Sequence, residues 1–373
     1  MARLEDICSI NMGQSPDSSS YNESGKGMPF FQGNADFGAL HPTVRVWCNA
    51  PTKTAECGDI LISVRAPIGA LNIADKQCCI GRGLAALTVN EALCDTKYLW
   101  YGLECKVDEL NSKGMGSTFK AINKTTLAET EIPLPPLDEQ RRIAAVLDKV
   151  SDLIAKRRAQ LDKLNLLVKA RFVEMFENTD ENILLSDVAE VTGGLTKNSK
   201  RKDLPIKLPY LRVANVFFDA IDTNEILEIG VTEEEKSKTL LRNGDLLFVE
   251  GNGSPEQIGR VAVWRDEIVP CVHQNHLIKA RFNMEKMLPV YAMNYFMTQK
   301  GREQIKAKAV STSGLYTLSV SKIESLYVPF APMDAQLQFT SFKEKIDKSK
   351  LTIRKSLDKL EVLKKALMQQ YFG

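Results

Sequence analysis

The chain contains the same segment twice, and this internal repeat restricts its fold more than any other sequence feature. IPLPPLDEQ at Ile132–Gln140 recurs as VPFAPMDAQ at Val328–Gln336, and LDKL at Leu161–Leu164 recurs unchanged at Leu357–Leu360. Both matches have the same offset of 196 residues, so one ungapped register holds across this part of the repeat. A repeat of this kind indicates one structural unit that is present twice.

Upstream of these segments, the two copies keep their order but not a constant spacing. GDIL at Gly58–Leu61 corresponds to GDLL at Gly244–Leu247, and Cys79 corresponds to Cys271. Short β-branched runs between Gly, Pro, Asn and Ser clusters predict strands joined by turns. The strands are predicted at 59–64, 84–89, 246–249, 261–264 and 276–280, and helices at 95–109 and 289–307. We therefore expect two tandem α+β domains, each with a mixed β-sheet plus helices.

A long amphipathic helix is predicted after each globular part. The prolines exclude a helix before Asp138 and Asp334, and these two aspartates are predicted to be its N-caps. Apolar residues then recur at spacings of three and four, which is the 3.5-residue pattern of a coiled coil. They are Ile143, Leu147, Val150, Ile154, Leu161, Leu164, Val168 and Met175 in the first copy, and Phe339, Ile346, Ile353, Leu357, Leu360, Leu367 and Tyr371 in the second.

Each predicted helix spans about 38 residues, or roughly 57 Å. An isolated helix of this kind is marginal without a partner. We predict that the two helices pair with each other as an antiparallel coiled coil, so that a pseudo-two-fold axis relates the two repeats.

Composition and charge exclude several classes of protein. The 49 basic and 47 acidic residues leave a net charge of +2, so binding to nucleic acid would need local basic clusters or partner subunits. No stretch approaches the roughly 18 apolar residues of a membrane helix, and MARLEDICSI lacks a signal pattern, so a cytoplasmic protein is expected. The cysteines have no C-x-x-C spacing, which favours reduced thiols, and His273 and His276 lack an obvious third metal ligand.

The order globular–helix–globular–helix is accompanied by three sequence features. They are the I-P-x-P-P-x-x-E-Q segment at Ile132–Gln140, the Gly-Asp-hydrophobic strands at Gly58 and Gly244, and the Gly-Ser-Thr loop at Gly116–Thr118. In this ordered set, the chain resembles the specificity subunits of type I restriction–modification systems over nearly its whole length. The second copy departs from the pattern at Ala335, which replaces Glu139 of the first copy.

The resemblance implies an organisation and a role. Target recognition domains are expected at 1–137 and 179–333, and spacer helices at 138–178 and 334–373. Such a subunit would bind double-stranded DNA at a bipartite asymmetric site, and would dock two methyltransferase subunits through which restriction subunits join. It would carry no cofactor itself, and S-adenosylmethionine is expected on the methyltransferase subunits.

Three alternatives to this role remain open. The same type of subunit could serve a methylation-only complex, or an enzyme that cuts on both sides of its site. A protein-binding coiled-coil scaffold is the second alternative. Catalysis by this chain is the third, although it lacks the Asn/Asp-Pro-Pro-Tyr/Phe motif of amine methylation, a phosphate-binding loop, G-x-S-x-G and H-E-x-x-H.

The residues predicted to contact DNA are polar or aromatic side chains in loops, since base edges and phosphates are read by such groups. In the first domain they are Gln32, Asn34, Arg65, Arg82, Ser117, Thr118, Phe119 and Lys120. In the second domain they are Lys200, Arg201, Arg212, Asn215, Asn252, Gln257, Arg260, Gln274, Asn275, Ser313 and Tyr316. For each of them, a surface position or a turn hydrogen bond is the alternative interpretation.

Overall fold

The computed structural model describes residues 1–116, 120–177, 179, 181–312 and 314–373. The chain divides into two compact units. Unit 1 comprises Met1–Ala159 and Arg354–Gly373, and unit 2 comprises Gln160–Ile353. Each unit therefore contains one globular part and portions of both long helices. The finer division into four segments stays a prediction.

Unit 1 contains short strands, short helices and parts of the two long helices. Its strands are β1 (Ala2–Arg3), β2 (Cys8–Met12), β3 (Tyr21–Asn22), β4 (Met28–Phe31), β5 (Val46–Cys48), β6 (Thr54–Ala55), β7 (Ile60–Ser63), β8 (Leu71–Ile73), β9 (Cys78–Ile80), β10 (Leu84–Val89) and β11 (Glu131–Ile132). Its helices are α1 (Leu4–Ile7), α2 (Thr96–Cys105), α3 (Val107–Lys113), α4 (Lys124–Ala128) and the first part of α5 (Leu137–Phe176), followed by the end of the C-terminal helix.

Two sheets form the globular part of unit 1. One is antiparallel with the order β2-β10-β7-β8, and the other has the order β3-β5-β4-β9-β6, in which β4 and β9 run parallel. β1 pairs with β11. One face of the antiparallel sheet, including Ile60 and Leu87, packs into a core with Leu99 of α2 and Leu147 of α5. The core therefore lies between the sheet and the helices.

Unit 2 contains the corresponding elements. Its strands are β12 (Asn182–Leu184), β13 (Ala189–Gly193), β14 (Ile206–Leu211), β15 (Val216–Phe217), β16 (Ala220–Ile221), β17 (Leu227–Val231), β18 (Leu246–Val249), β19 (Gly251–Asn252), β20 (Val261–Val263), β21 (Val272–His273), β22 (Leu277–Phe282), β23 (Val310–Thr312), β24 (Leu315–Thr317) and β25 (Tyr327–Pro329). Its helices are α6 (Leu185–Val188), α7 (Glu233–Thr239), α8 (Pro289–Met297), α9 (Gln299–Lys308), α10 (Val320–Glu324) and the first part of α11 (Met333–Phe372).

The sheet topology of unit 1 recurs in unit 2. The antiparallel sheet β13-β22-β18-β20 has the connectivity of β2-β10-β7-β8, and the parallel pair β14/β21 corresponds to β4/β9. The strands predicted at 84–89 and 246–249 have these same bounds. The prediction of two tandem α+β domains with mixed sheets is confirmed.

The long helices α5 and α11 pack in opposite directions inside each unit. In unit 1, Leu147 of α5 shares the core with Phe372 at the end of α11, and Arg158, further along α5, pairs with Glu361 at 2.7 Å. In unit 2, the ring of Phe172 lies edge-on to Phe339 near the start of α11, with 5.1 Å between centroids. The antiparallel arrangement predicted from the apolar stripes is confirmed within each unit. No helix in the described part of the chain has the length and hydropathy to span a bilayer.

The two aspartates predicted to be N-caps lie two positions after the actual N-cap positions. α5 begins at Leu137 and α11 begins at Met333, so Asp138 and Asp334 lie within the first helical turn. That prediction was wrong, because the helix begins immediately after Pro136 and Pro332, whose carbonyls accept its first hydrogen bonds. Acidic side chains in the first turn still interact favourably with the helix dipole.

The repeated glutamine of each segment fixes the start of its helix instead. Gln140 is fully buried; its Oε1 accepts from the N–H of Asp95 at 2.9 Å, and its Nε2 donates to the carbonyl of Pro135 at 2.7 Å. Gln336 makes the equivalent bonds with the N–H of Leu288 and the carbonyl of Ala331. The sequence signal for the start of each long helix is therefore the repeated glutamine, Gln140 or Gln336, and not the aspartate.

The helices predicted at 95–109 and 289–307 are each two helices. α2 ends at Cys105 before α3 begins at Val107, and α8 ends at Met297 before α9 begins at Gln299. Thr298 separates the second pair: its Oγ1 donates to the carbonyl of Tyr295 at 2.7 Å and accepts from the N–H of Gly301 at 3.2 Å. The prediction of continuous helices was wrong, because a threonine N-cap satisfies the backbone of a new helix.

Candidate nucleic-acid interface

Four of the side chains predicted in the first domain lie together in unit 1. Gln32, Asn34, Arg65 and Arg82 line one cleft of about 190 Å³. They come from three different loops, which follow β4, β7 and β9. The parallel pairing of β4 with β9 brings the carboxyl ends of both strands to the same sheet edge, and so brings Gln32 close to Arg82.

Lys120 lies beside this cleft. Its carbonyl accepts the N–H of Ala66 at 3.0 Å, and Arg65 forms a β-bridge with Ala121. The loop that contains Lys120 is thus held against the loop that contains Arg65. Ser117, Thr118 and Phe119, predicted in the same loop, lie outside the described residues.

The side chains at this cleft have polar groups available for binding. Within the described residues, no hydrogen bond or ion pair engages the side chains of Gln32, Asn34, Arg65, Arg82 or Lys120, and the three cationic ones are exposed. Guanidinium groups present donors in a fork that fits phosphate oxygens or the acceptor edge of guanine, and amides fit adenine. The unit 1 face therefore has the chemistry for contacts with a nucleic acid.

The loop after β4 is held in a fixed shape by its own polar groups. The Oδ2 atom of Asp36 accepts from the N–H of Gln32 at 2.8 Å and of Gly33 at 3.3 Å, and Arg45 pairs with the same carboxylate. A Cβ at Gly83 would lie 2.4 Å from the carbonyl oxygen of Gln32, so only glycine permits this close approach of the two loops. Asp36 and Arg45 were not among the predicted residues.

Unit 2 has an equivalent face. The N–H of Gln274 donates to the carbonyl of Leu211 at 3.0 Å, just as Gly81 donates to Phe31 in unit 1. Arg212 thus follows β14 at the same edge at which Gln274 follows β21.

The paired strands β19 and β24 of unit 2 contain two further predicted residues. Asn252 of β19 pairs with Tyr316 of β24. Ser313, predicted in the same region, lies outside the described residues.

Arg201, predicted to contact DNA in the second domain, is engaged by partners inside the fold. Arg201 donates to both carboxylate oxygens of Glu235, at 3.0 and 2.9 Å, and to the carbonyls of Thr196 and Gly230, and its side chain is 11% exposed. A guanidinium with this many internal acceptors stabilises the loop and is not presented to a ligand. The neighbouring Lys200 is exposed.

Asn215 likewise lies inside the fold. It is 3% exposed; its amide donates to the carbonyls of Asp222 and Glu225, and its Oδ1 accepts from the N–H of Arg212. Its counterpart in unit 1 is Asp36, which closes the equivalent loop, and not Asn34. The Ala-Asx pairs at Ala35-Asp36 and Ala214-Asn215 are the sequence signal for this correspondence.

Two arginines of unit 2 are partly engaged. Arg212 pairs with Glu225 at 3.2 Å, and its side chain is 24% exposed. Arg260 donates to the carbonyl of Val213 at 3.1 Å, and its guanidinium lies 5.3 Å from the ring centroid of Phe217. Burial lowers the pKa of Arg260 below its usual value. Both arginines are therefore held in defined orientations at the edge of the face.

The other predicted residues of unit 2 are partly exposed. Asn252 accepts from the N–H of Ser254 at 2.9 Å, and Gln257 accepts from Arg260 at 3.5 Å. The side chains of Gln274 and Asn275 have no hydrogen-bond partner in the described part of the chain. These residues keep polar groups that a ligand can contact.

Neither histidine of unit 2 belongs to a metal cluster, and the described residues contain no group of three or more potential ligands. His276 is exposed, and its Nδ1 lies 2.9 Å from a carboxylate oxygen of Glu250, next to Asn252 and Asn275. Neither His276 nor Glu250 was among the residues predicted at this face. His273 is fully buried, and its Nδ1 lies 3.0 Å from the carbonyl oxygen of Leu277.

Comparison with known proteins identifies the family. A family model described as the type I restriction modification DNA specificity domain matches residues 1–165 and 179–364, once on each repeat. The chain belongs to this family. Its membership confirms the resemblance based on the repeated proline-rich segments.

Among the relatives, the putative type I restriction enzyme MjaX specificity subunit of Methanocaldococcus jannaschii is 46% identical over 155 residues, which is 42% of this chain and 36% of the relative. The type I restriction enzyme EcoKI specificity subunit of Escherichia coli is 25% identical over 67% of this chain and 58% of the relative. The matched regions thus span less than two thirds of these two proteins. The MjaIX specificity subunit of M. jannaschii is 25% identical over 83% of this chain and 76% of the relative.

Solved structures of the family are also similar. The S subunit of a type I restriction–modification system from M. genitalium matches with a TM-score of 0.59 and 16% identity, over 100% of this chain and 95% of that chain. The two proteins therefore share a fold. The HsdS subunit from Thermoanaerobacter tengcongensis is 53% identical over 43% of this chain and 39% of its own length, with a TM-score of 0.39.

Proposed function

We propose that this specificity-domain protein is the DNA-recognition subunit of a type I restriction–modification enzyme, and that each unit reads one half of a bipartite, asymmetric site. The supporting observation is that the two units present equivalent loops with different side chains. Gln32 and Arg82 line the face of unit 1, whereas Arg212 and Gln274 occupy the equivalent edge of unit 2. Two domains of the same fold that present different hydrogen-bond donors and acceptors suit two different DNA sequences.

The long helices support a fixed gap between the half-sites. α5 and α11 have 40 residues each, and each helix has residues in both units. A helix of this length measures about 60 Å, equal to the rise of roughly 18 base pairs. We propose that this antiparallel pair sets the number of base pairs that the complex leaves unread.

We propose that the chain is not itself catalytic and acts in the cytoplasm. Methyl transfer would belong to two methyltransferase subunits that hold S-adenosylmethionine, and restriction subunits would join through these. In such a complex the partner subunits would share the neutralisation of DNA phosphates, which agrees with a net charge of only +2 on this chain. Methyl transfer by the purified chain alone would contradict this part of the proposal.

Repeated apolar side chains on the long helices are the candidate docking sites for the methyltransferase subunits. Leu166 and Leu167 of α5 are 63% and 46% exposed, and Val362 and Leu363 of α11 are 70% and 46% exposed. The two pairs occupy the same positions of the repeat, 196 residues apart. Equivalent exposed apolar pairs suit two copies of one partner.

The experiment that tests the main proposal is methylome sequencing of a host with and without this chain. We expect one methylated motif of two unlike halves, with a gap of constant length, that disappears when the chain is deleted. An unchanged methylome would contradict a role in DNA recognition. A single uninterrupted motif would contradict two readers.

A further inference from the structure

A lysine is buried in the packing surface of α11. Lys343 is 1% exposed. The equivalent position in the first repeat, 196 residues earlier, is Leu147, which is fully buried in the core of unit 1. A charged side chain in such a position is unfavourable unless it is paired. The lysine at this otherwise apolar core position therefore requires negatively charged partners.

Lys343 has two carboxylate partners at short distance. Its Nζ atom lies 2.7 Å from Oδ2 of Asp347, one turn further along α11, and 2.7 Å from Oδ2 of Asp219. Asp219 belongs to the globular part, in the two-residue turn between β15 and β16. Lys343 thus joins the long helix to this hairpin.

The hairpin is part of the loop that presents the candidate DNA contacts of unit 2. Phe217 of β15 lies under the guanidinium of Arg260, and Asn215, directly before β15, accepts the N–H of Arg212. Both arginines are thereby connected to the strand that leads to Asp219.

Asp219 is held from two sides. Its φ of 53° is in the left-handed region that non-glycine residues rarely adopt. Its N–H donates to the carbonyl of Val261 at 2.9 Å, while its carboxylate binds Lys343 at 2.7 Å and lies 4.0 Å from the guanidinium of Arg265. The backbone bond fixes the turn against β20, and the ion pair fixes it against α11.

We infer that Lys343 is a positioning residue for sequence recognition by unit 2. It anchors the turn of the 212–225 loop to α11, and so sets the orientation in which Arg212 and Arg260 meet DNA. This inference rests on the proposed function of the chain. In unit 1, Leu147 forms no ion pair, so the effect belongs to one half-site alone.

A matched pair of variants, Lys343→Met and Lys350→Met, tests the inference. Both lysines are buried on α11 and both pair with Asp347, but only Lys343 pairs with Asp219. Methionine keeps the unbranched stem of lysine, and it is apolar, as Leu147 is at the equivalent position. The variants are assembled with the methyltransferase subunits, and affinities are measured for the cognate duplex and for duplexes with one base-pair change in either half-site.

We expect Lys343→Met to lose on the order of tenfold in discrimination, the scale of one bidentate base contact, at a single half-site. The other half-site should be read as before, and Lys350→Met should behave as the wild type at both. Lys343→Arg, which keeps the charge, should restore most of the discrimination. A Lys343→Met complex with wild-type discrimination would overturn the inference, as would equal losses at both half-sites in both lysine-to-methionine variants.

Hydrogen exchange on the full chain separates this inference from the proposed function. Amides at 216–221 should exchange faster in Lys343→Met than in Lys350→Met, whether or not DNA is bound. Equal exchange would overturn the anchoring role. If exchange differs but the wild-type complex shows no dependence on either half-site, the proposed function fails and the specificity role of Lys343 fails with it, while the anchor itself is retained.

Discussion

Gln140 and Gln336 show how one buried amide organises the start of a long helix. Each side chain accepts a backbone N–H from the globular part and donates to two carbonyls, one in the globular part and one just before the helix begins. The two glutamine side chains are themselves fully buried, and shortening either of them would remove these bonds. A buried polar group left without a partner costs about 1–3 kcal/mol.

We predict that Gln140→Ala lowers the free energy of unfolding of unit 1 by about 2–4 kcal/mol, and that Gln336→Ala does the same for unit 2. Denaturant titration with hydrogen exchange resolved by unit measures both. Glu139→Ala is the control: it removes an exposed ion pair with Arg142 and leaves Gln140 in place, so it should change stability far less. Gln140→Ala with wild-type stability would show that other groups satisfy these bonds.

His273 gives the stability of unit 2 a dependence on pH. Burial, with a smaller contribution from the nearby Lys279, lowers the pKa of His273 from 6.5 to about 3. The unfolded chain takes up this proton near pH 6.5 and the folded unit does not until about pH 3. The contribution of His273 is therefore complete above pH 6.5 and is lost as the pH falls towards 3.

We predict that, between about pH 6 and pH 4, the free energy of unfolding falls by about 2.5 kcal/mol more in the wild type than in His273→Leu. The measurement is the free energy of unfolding of both proteins at each pH. The comparison cancels the contributions of carboxylates that the two proteins share. A difference between them that does not change with pH would contradict a neutral, buried His273.

At the level of single residues, the sequence indicated which residues lie in loops. It did not indicate which of their side chains already form hydrogen bonds or ion pairs within the protein. Gln32, Arg65 and Arg82 could be selected because turn-forming residues surround them. Arg201 looked equivalent, yet its acceptors Gly230 and Glu235 are 29 and 34 residues away. Contacts at such distances depend on the tertiary fold, and local sequence does not report them.

The break between α8 and α9 depends on Gly301. A Cβ at this position would lie 2.2 Å from the carbonyl oxygen of Tyr295 and 2.7 Å from Cα of Phe296. These are backbone atoms, which cannot move aside as a flexible side chain can. The glycine is therefore required by the close approach of the two helices.

We predict that Gly301→Ala destabilises unit 2 by about 1–3 kcal/mol, the usual range for overpacking. Gly253→Ala is the matched control in the same unit, since the nearest atom to its Cβ would be 3.9 Å away. Denaturant titration followed by hydrogen exchange at the amides of unit 2 measures the stability of both variants. Equal stability of the two variants would refute the role given to Gly301.

The apolar stripes predicted the long helices well because their period is long and regular. Ile143, Leu147 and Val150 are buried as expected. Near the end of α5 the buried residues are Phe172 and Phe176, and the predicted Met175 is only partly buried. There the helix packs against α8 of the globular part as well as against α11, and a helix-pair pattern does not include that surface.

For the whole molecule, the repeat and the fold class could be read from the sequence, but the composition of the units could not. Unit 1 is completed by the end of α11, where Phe372 lies 4.9 Å from the ring of Tyr98. Unit 2 is completed by the end of α5, where Phe176 lies 4.8 Å from the ring of Tyr291. An apolar stripe predicts that a helix is buried, but it does not specify which globular part covers its end.

The most direct test of the account is to lengthen both long helices by one heptad, after Ala159 in α5 and after Ile353 in α11, where the two units divide. Seven residues add about 10 Å, close to three base pairs. Methylome sequencing of a host with this variant should show both half-sites unchanged and the gap between them longer by about three base pairs. An unchanged gap, or altered half-sites, would contradict two readers at a separation set by the helices.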